Sequence, residues 1–490
     1  MFTPLTRRTL VSGAAAGAGL VAGLPLYAGA QATPGASPAA EMDADFVAAQ
    51  DELIATLQGQ SGKRLRILSA VVGGKTPEED ALFAQEIQRL TGIEVELVHP
   101  TADYNEKLLA DLAAGVEYDL IYTNKDTVDT FVEEGILTDL TERIANSAIL
   151  SNPTVIPESE WELVNYNGTY YTVFNKFEGA RMLTLRQDWL DQLGLEAPTT
   201  LEEVYNTMVA FRDQDPAGNG EGATLGLALA GTYDIQPFLS SEGVLPGYVD
   251  VDGKRTIPWA SEAAIPVYEW LANLYAEGLL DPNFATATTA DARNLFLTDR
   301  VGFVSYWDTW VGLFNNARLA EDPATTFEAV GIAATSNADG EIVISRGQPS
   351  VWIIPTNAQD PDTAFQFLEW WHTIPGITLG SLGILDNDYT VTDGVYELTE
   401  LGAEHGMDHG QPTPQNTNWV NPIGELPGLA AAQEISREYG YLAVNGPRWS
   451  PEVQPILDQF IIQTILGDYT AEEAVAAMQD ELLALDLIDE

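Results

Sequence analysis

Cysteine is absent from the 490 residues of this chain. Without cysteine the protein has no disulfides, no thiol nucleophile and no thiolate ligand for zinc or an iron–sulfur cluster. The absence also excludes the lipidated N-terminal cysteine of a bacterial lipoprotein. A chain of this length can bury large cores without covalent cross-links, so none is required for its stability.

Basic residues are scarce, with 22 Lys and Arg against 73 Asp and Glu and a formal net charge of −51. Binding to nucleic acid or to an anionic membrane surface begins with a basic patch, so both are excluded as partners. Hydrophobic residues make up 45% of the chain, which argues against global disorder, and the length predicts two or three domains. The acidity favours a neutral or cationic ligand unless the few arginines cluster at the binding site.

Long apolar runs are also missing, because no segment reaches the roughly eighteen consecutive apolar residues that a transmembrane helix needs. Arg7 and Arg8 are followed by a short, glycine-rich, weakly apolar run and by an A-x-A cleavage site ending at Ala30. This start resembles a twin-arginine (Tat) export signal, and the run is too short and too rich in glycine for a good membrane span. We therefore expect a periplasmic or extracellular protein that is not a lipoprotein. The predicted ranges are 1–30 for the signal peptide and 31–60 for a flexible linker and lead-in.

The first part of the mature chain alternates strands and helices. Apolar runs rich in β-branched residues predict strands at 65–72, 93–98 and 119–122, and helical spacing predicts helices at 78–90, 104–112 and from 128 onward. This alternation indicates a parallel sheet, and ligands bind beyond the carboxyl ends of such strands. Asn124, Lys125 and Asp126 follow the third strand and are predicted to bind the ligand, with a helix cap as the alternative. Residues 73–75 are predicted to form a glycine turn rather than a phosphate-binding loop, because Ser69 stands where that loop needs its first glycine.

A set of motifs spread along the chain resembles one known family. The matching strings are RQDWLDQLG at 186–194, PTTLEE at 198–203, GLLDP at 278–282, VGF at 301–303 leading to SYWDTW at 305–310, and SVWIIP at 350–355. Their order is similar to that of the extracellular solute-binding proteins of ABC importers, in the carbohydrate-binding group that includes maltose-binding proteins. The resemblance covers nearly the whole mature chain.

The resemblance implies an α/β protein with a two-lobed, periplasmic-binding-protein-like fold of type II. A ligand cleft then lies between lobes that are joined by hinge strands, and hinge closure traps the ligand. The implied boundaries are 61–180 for the first part of lobe 1, 181–305 for lobe 2, and 306–490 for the completion of lobe 1 with hinge crossings and C-terminal helices. The implied function is delivery of a neutral sugar or oligosaccharide to a membrane permease, by a monomer without a cofactor or catalytic activity.

A sugar presents hydroxyl groups around flat C–H faces, so a sugar site needs aromatic rings together with charged or amide groups. Residues of both kinds stand at the positions where the resemblance implies the cleft. For each tryptophan core packing is the alternative, and Glu178 and Arg181 are alternatively a structural ion pair. The predicted ligand-binding residues are Asn124, Lys125, Asp126, Glu178, Arg181, Trp307, Trp310, Trp352, Arg448 and Trp449.

Metal sites and catalytic motifs are weakly represented. Asp213, Asp215, Asn219 and Glu221 form a weak calcium-loop candidate, but Ala217 and two later residues stand where further oxygen ligands are expected, so a turn is the better interpretation. The string HGMDH at 405–409 has metal-binding residue types but reads as a surface loop. No G-x-S-x-G or H-E-x-x-H motif is present. The alternatives to a sugar binder are a secreted carbohydrate-active hydrolase and a binding protein for peptides or another polar solute.

Overall fold

A computed structural model describes residues 42–60, 62–70, 76–100, 104–232, 234–405, 411–446 and 448–489. The predicted signal peptide, residues 31–41 of the predicted linker, the predicted turn at 73–75 and residues 406–409 of the 405–409 string lie outside the described residues. The rest of the predicted linker is described and is largely helical, from Ala44 to Gln58. No helix in the described ranges is long and apolar enough to cross a membrane.

The strands and helices alternate over much of the chain. The strands are β1 Lys63–Leu68, β2 Ile93–Val98, β3 Leu120–Asn124, β4 Thr172–Lys176, β5 Arg181–Arg186, β6 Leu225–Ala228, β7 Val249–Val251, β8 Lys254–Thr256, β9 Val301–Trp307, β10 Ala329–Ile332, β11 Ile344–Arg346, β12 Ser350–Ile353, β13 Tyr389–Thr392, β14 Val395–Leu398 and β15 Gly440–Leu442. The helices are α1 Ala44–Gln58, α2 Pro77–Thr91, α3 Tyr104–Ala113, α4 Lys125–Glu134, α5 Thr141–Asn146, α6 Glu158–Leu163, α7 Gln187–Leu193, α8 Leu201–Gln214, α9 Gln236–Leu239, α10 Ile265–Ala276, α11 Thr289–Leu297, α12 Thr309–Glu321, α13 Pro361–Trp371, α14 Ile374–Leu382, α15 Glu400–His405, α16 Leu429–Tyr439, α17 Gln454–Leu466 and α18 Ala471–Ala484.

The first lobe is built on a sheet with the strand order β2-β1-β3-β12-β4. Strand β1 pairs in parallel with β2 and β3, whereas β12 is antiparallel to both β3 and β4. Most apolar residues of these strands are buried in the core of the first lobe, as the continuous apolar runs predict for a parallel sheet, although Leu97 and Val98 at the end of β2 are only partly buried. The carboxyl ends of β1 and β3 therefore share one edge of the sheet.

The second lobe is built on a sheet with the strand order β10-β5-β9-β6. Strand β6 is parallel to β9, and β5 runs antiparallel to β9, so β5 begins beside the point where β9 ends. Helices α10, α17 and α18 pack together in the core of this lobe.

Two predicted boundaries change as a result. Strand β10 belongs to the second sheet, so lobe 2 extends well past residue 305. Helices α17 and α18 bury their apolar faces in the second lobe, whereas we predicted that they complete the first. Helical spacing identifies the buried face of a helix, but it does not identify the sheet that covers that face.

The two lobes are joined where residues 177–180 and 347–349 run side by side. The Gly347 amide donates to the Gly179 carbonyl at 2.9 Å. Gly179 has to be glycine here, because a Cβ would lie 2.1 Å from the Asp308 carboxylate of the second lobe. These crossings bring the start of β5 and the end of β9 next to the first lobe.

Candidate functional site

Trp307 and Arg181 are direct cross-strand partners at the crossing. Trp307 ends β9, Arg181 begins β5, and the Arg181 guanidinium carbon lies 4.3 Å from the centroid of the Trp307 ring. The Arg181 guanidinium is ion-paired with Asp234, whose side chain is 1% exposed. Burial raises the pKa of Asp234, and the charge of Arg181 opposes that rise. One face of Trp307 is thus covered by an arginine that a buried carboxylate holds in place.

Glu178 pairs with Lys176 rather than with Arg181. The Lys176 Nζ lies 3.5 Å from Glu178 Oε1, and the charge of Glu178 raises the pKa of Lys176. Asp308 lies close by, accepts a hydrogen bond of 2.7 Å from Ser436 Oγ, and has its pKa raised by burial. The crossing therefore combines a tryptophan ring with charged groups of both signs.

Trp310 lies in the first turn of α12, beside Tyr306. The two ring centroids are 5.7 Å apart, and the Arg293 guanidinium carbon lies 4.2 Å from the Trp310 centroid and 5.7 Å from that of Tyr306. Arg181 is also 5.7 Å from Tyr306. Arg181 and Arg293 thus lie beside the same Tyr306 ring. The few arginines do cluster here, so the net negative charge of the chain does not by itself disfavour an anionic ligand at this position.

Asn124 and its neighbours lie at the carboxyl end of β3, as predicted. Asn124 caps α4 by accepting a hydrogen bond of 3.1 Å from the Thr127 amide, so the alternative of a helix cap holds for this residue. Lys125 donates to Asp129 at 3.0 Å. Burial, followed by the charge of Asp129, raises the pKa of Asp126 to about 6. Asp126 is the member of this group with the strongest sign of a functional environment.

Three of the predicted ligand-binding residues have partners within the protein, and two of them, Trp352 and Trp449, are buried in the cores. Trp352 is 0% exposed, because β12 is a central strand buried on both faces, and its Nε1 donates to Asn175 at 2.9 Å. Trp449 packs in the core of the second lobe. Arg448 pairs with Glu452 and donates to the carbonyl of Leu485 at the end of α18. We therefore no longer assign Trp352 and Trp449 to the ligand, and the role of Arg448 stays a prediction.

Asp234 and Arg293 were not predicted from the sequence. Asp234 meets Arg181 from a separation of 53 residues, and no local pattern marks such a pair. Arg293 lies in an ordinary amphipathic helix, and the scarcity of basic residues was the one feature that set it apart.

The calcium-loop candidates do not gather around a common point. The two carboxylate oxygens of Asp215 accept hydrogen bonds from the Asn219 and Gly220 amides and from Thr224 Oγ1, at 3.0, 2.8 and 2.8 Å. Asp213 is ion-paired with Arg212, and Glu221 is exposed. Across the described ranges no group of three or more His, Asp or Glu side chains is arranged to hold a metal ion. The Asp215 loop is held by its own hydrogen bonds.

We predict that this loop folds without calcium. An excess of EDTA followed by an excess of calcium should leave the melting temperature unchanged, whereas Asp215→Ala should lower it because three donors lose their acceptor. Differential scanning fluorimetry measures both effects. A melting temperature that rises on addition of calcium, and does so only when Asp215 is present, would contradict the prediction.

Comparisons with known proteins show which family of sequences this chain resembles. A family model described as bacterial extracellular solute-binding protein matches residues 73–373. The chain is similar to Lipoprotein LipO of Bacillus subtilis (strain 168), at 22% identity over 364 residues, 70% of this chain and 72% of LipO. It is similar to the polygalacturonan/rhamnogalacturonan-binding protein YtcQ of the same organism, at 24% identity over 58% of either chain.

The likeness in structure extends further than the likeness in sequence. The alginate-binding protein AlgQ2, solved without calcium ion, superposes with a TM-score of 0.65 at 19% identity and covers 88% of this chain and 97% of its own. This likeness confirms the predicted two-lobed α/β fold of type II.

Proposed function

The chain belongs to the family of bacterial extracellular solute-binding proteins, and from that premise we propose that it is the extracytoplasmic substrate-binding component of an ABC importer. In this proposal it binds a sugar or oligosaccharide between its lobes, closes around it and delivers it to a membrane permease without catalysing a reaction. The export signal expected at residues 1–30 supports a protein that acts outside the cytoplasm.

The observation that carries the proposal is the pair of partly exposed tryptophans at the end of β9 and the start of α12, of which Trp307 lies at the crossing between the lobes. Trp307 and Trp310 are three residues apart in the sequence, and each ring has an arginine beside it, Arg181 at Trp307 and Arg293 at Trp310. Aromatic rings next to hydrogen-bond donors are the composition that a sugar ring requires. The names of YtcQ and AlgQ2 refer to polysaccharide ligands, and these names support the same class of ligand.

A hydrolase is the main rival, because carboxylates are abundant near the crossing. Glu178, Asp234 and Asp308 are each engaged by a cation or by hydrogen-bond donors of the protein itself. A pair of carboxylates in glycoside hydrolysis has to act on the substrate, as acid on one side and as base or nucleophile on the other. The geometry therefore favours binding over hydrolysis.

A thermal-shift screen with mono- and oligosaccharides tests the proposal. A ligand that binds the folded protein raises its stability by RT ln(1 + [L]/Kd), so the melting temperature should rise with saccharide concentration while the saccharide stays intact. Stabilisation by peptides or polyamines but by no saccharide would refute the sugar proposal. Accumulation of saccharide products would favour the hydrolase.

Trp307→Ala is expected to weaken saccharide binding by about 2–4 kcal/mol, since a buried aromatic anchor contributes that much at a typical interface. Isothermal titration calorimetry with the best saccharide from the screen measures the loss. Trp449→Phe is the matched control, because Trp449 packs in the core of the second lobe, and it should bind as the wild type does. Equal affinities of Trp307→Ala and the wild type would remove Trp307 from the site.

A further inference from the structure

Arg293 is a buried cation for which the described part of the chain supplies no anion. It lies on α11 and is 8% exposed. Its guanidinium contacts the rings of Trp310 and Tyr306, but it makes no ion pair and no hydrogen bond with any described residue.

Two other arginines with buried side chains in the described part of the chain are both paired. Arg186 binds Asp188 and Asp299, and the Arg346 guanidinium binds Glu160 at 2.7 Å. A buried charge is strongly disfavoured unless it is paired and hydrogen-bonded. In a protein with 73 acidic residues a carboxylate partner for Arg293 would be easy to supply, so a cation left without one points to an anion that comes from outside.

The location of Arg293 ties it to the ligand site. Helix α11 packs beside β9, and Trp310 follows the end of that strand. Arg181 and Arg293 approach the same Tyr306 ring, each at 5.7 Å. Of these two guanidiniums, that of Arg181 is already paired with Asp234, which leaves Arg293 as the one available to a ligand.

We propose that Arg293 binds the carboxylate of an acidic sugar, a uronate residue of the oligosaccharide, with Trp310 and Tyr306 beside it. The inference rests on the proposed function and replaces the expectation of a neutral ligand. The planar guanidinium matches a carboxylate with two parallel hydrogen bonds, which an ammonium group does not do. The net charge of the protein does not prevent this, because in physiological salt charges farther away than about 8 Å are largely screened.

The test compares each acidic saccharide with its own neutral form. Oligomers of galacturonate, glucuronate and mannuronate are titrated into the full protein by calorimetry, alongside their methyl esters, which keep the ring and remove the charge. We expect at least one free acid to bind at least about tenfold more tightly than its ester, the difference that corresponds to 1.4 kcal/mol.

Substitutions at Arg293 then assign the preference to this residue. Arg293→Gln should abolish the preference for the acid over the ester while retaining binding of the ester, and Arg293→Lys should restore only part of it. Arg300→Gln is the matched control. Arg300 is exposed and lies between the end of α11 and the start of β9, so this variant should keep the full preference for the acid. The ester affinity serves as the readout of intact folding in every variant.

The remaining outcomes separate this inference from the proposed function. If neutral saccharides bind and no acid exceeds its ester, the inference fails and the proposed function stands. If sulfated or phosphorylated sugars bind better than uronates and lose that advantage in Arg293→Gln, the carboxylate assignment is wrong. If no saccharide of any kind stabilises the protein, both fail together.

Discussion

Asp234→Asn is expected to lower the free energy of unfolding by about 3–5 kcal/mol, the usual loss when one partner of a buried ion pair is removed. The side chains of Asp234 and Arg181 are 1% and 11% exposed, so the arginine would keep its charge in a site that water hardly reaches. The same substitution should weaken saccharide binding, because Asp234 holds Arg181 against the Trp307 ring.

Urea unfolding of a double-mutant cycle measures this effect. Arg181→Met alone should also destabilise the protein, whereas the double variant should lose clearly less than the sum of the two single variants, since it leaves no charge without a partner. Additive losses would show that the two side chains do not stabilise one another.

An exposed ion pair provides the control. Arg212 and Asp213 are sequence neighbours, and the Asp213 side chain is 56% exposed. Exposed pairs contribute little because solvent screens them, so Asp213→Asn should unfold at the same urea concentration as the wild type. A comparable loss in this control would mean that burial is not what makes the Asp234 pair important.

The local features of the sequence were sufficient to predict much of the fold. Thr200 and Glu203 form the capping box that begins α8, as their spacing predicts. The alternation of strands and helices in the first lobe is also confirmed, because it depends on short-range periodicity. Sequence patterns of this kind predict helix caps, helices and strands, because each of these depends on residues that are close in the chain.

Contacts between residues that are distant in the sequence could not be predicted, because they depend on which strands and helices pack together. Trp352 is a predicted ligand-binding residue, but its strand lies between β3 and β4 with both faces covered, and nothing near it in the sequence shows this. The pairing of Lys176 with Glu178 was available from their spacing, whereas the pairing of Arg181 with Asp234 was not. Charge scarcity was the most useful global feature, because it makes each buried arginine informative.

Asp126→Asn is expected to raise the free energy of unfolding near neutral pH, whereas Asp234→Asn is expected to lower it. The pKa of Asp126 is raised from 3.8 to about 6 in the folded protein, so between these values the unfolded chain ionises while the folded protein stays protonated. Above pH 6 the folded state carries the full penalty of a buried charge, roughly 2–3 kcal/mol at 1.36 kcal/mol per pKa unit. Below pH 3.8 the carboxyl group is protonated in both states and the penalty disappears.

The measurement is the free energy of unfolding in urea at pH 7.5, 5 and 4 for the wild type and Asp126→Asn. The gain should be largest at pH 7.5 and shrink as the pH falls from about 6 towards 4. Asp129→Asn, one helical turn away, is the matched control. The Asp129 carboxylate accepts hydrogen bonds from Lys125 at 3.0 Å and from Tyr166 at 2.6 Å. Removal of its charge should therefore destabilise the protein. A gain of equal size at every pH would show that ionisation of Asp126 is not its cause.

The same variant separates structure from function at this residue. A protein retains a destabilising buried charge where function needs it, so a stabilised variant that binds less tightly is the expected trade-off. We expect Asp126→Asn to lose at least about tenfold in saccharide affinity while it gains stability, since Asp126 lies at the carboxyl end of β3 where ligands of such sheets bind. Stabilisation with unchanged affinity would instead place Asp126 outside the ligand site.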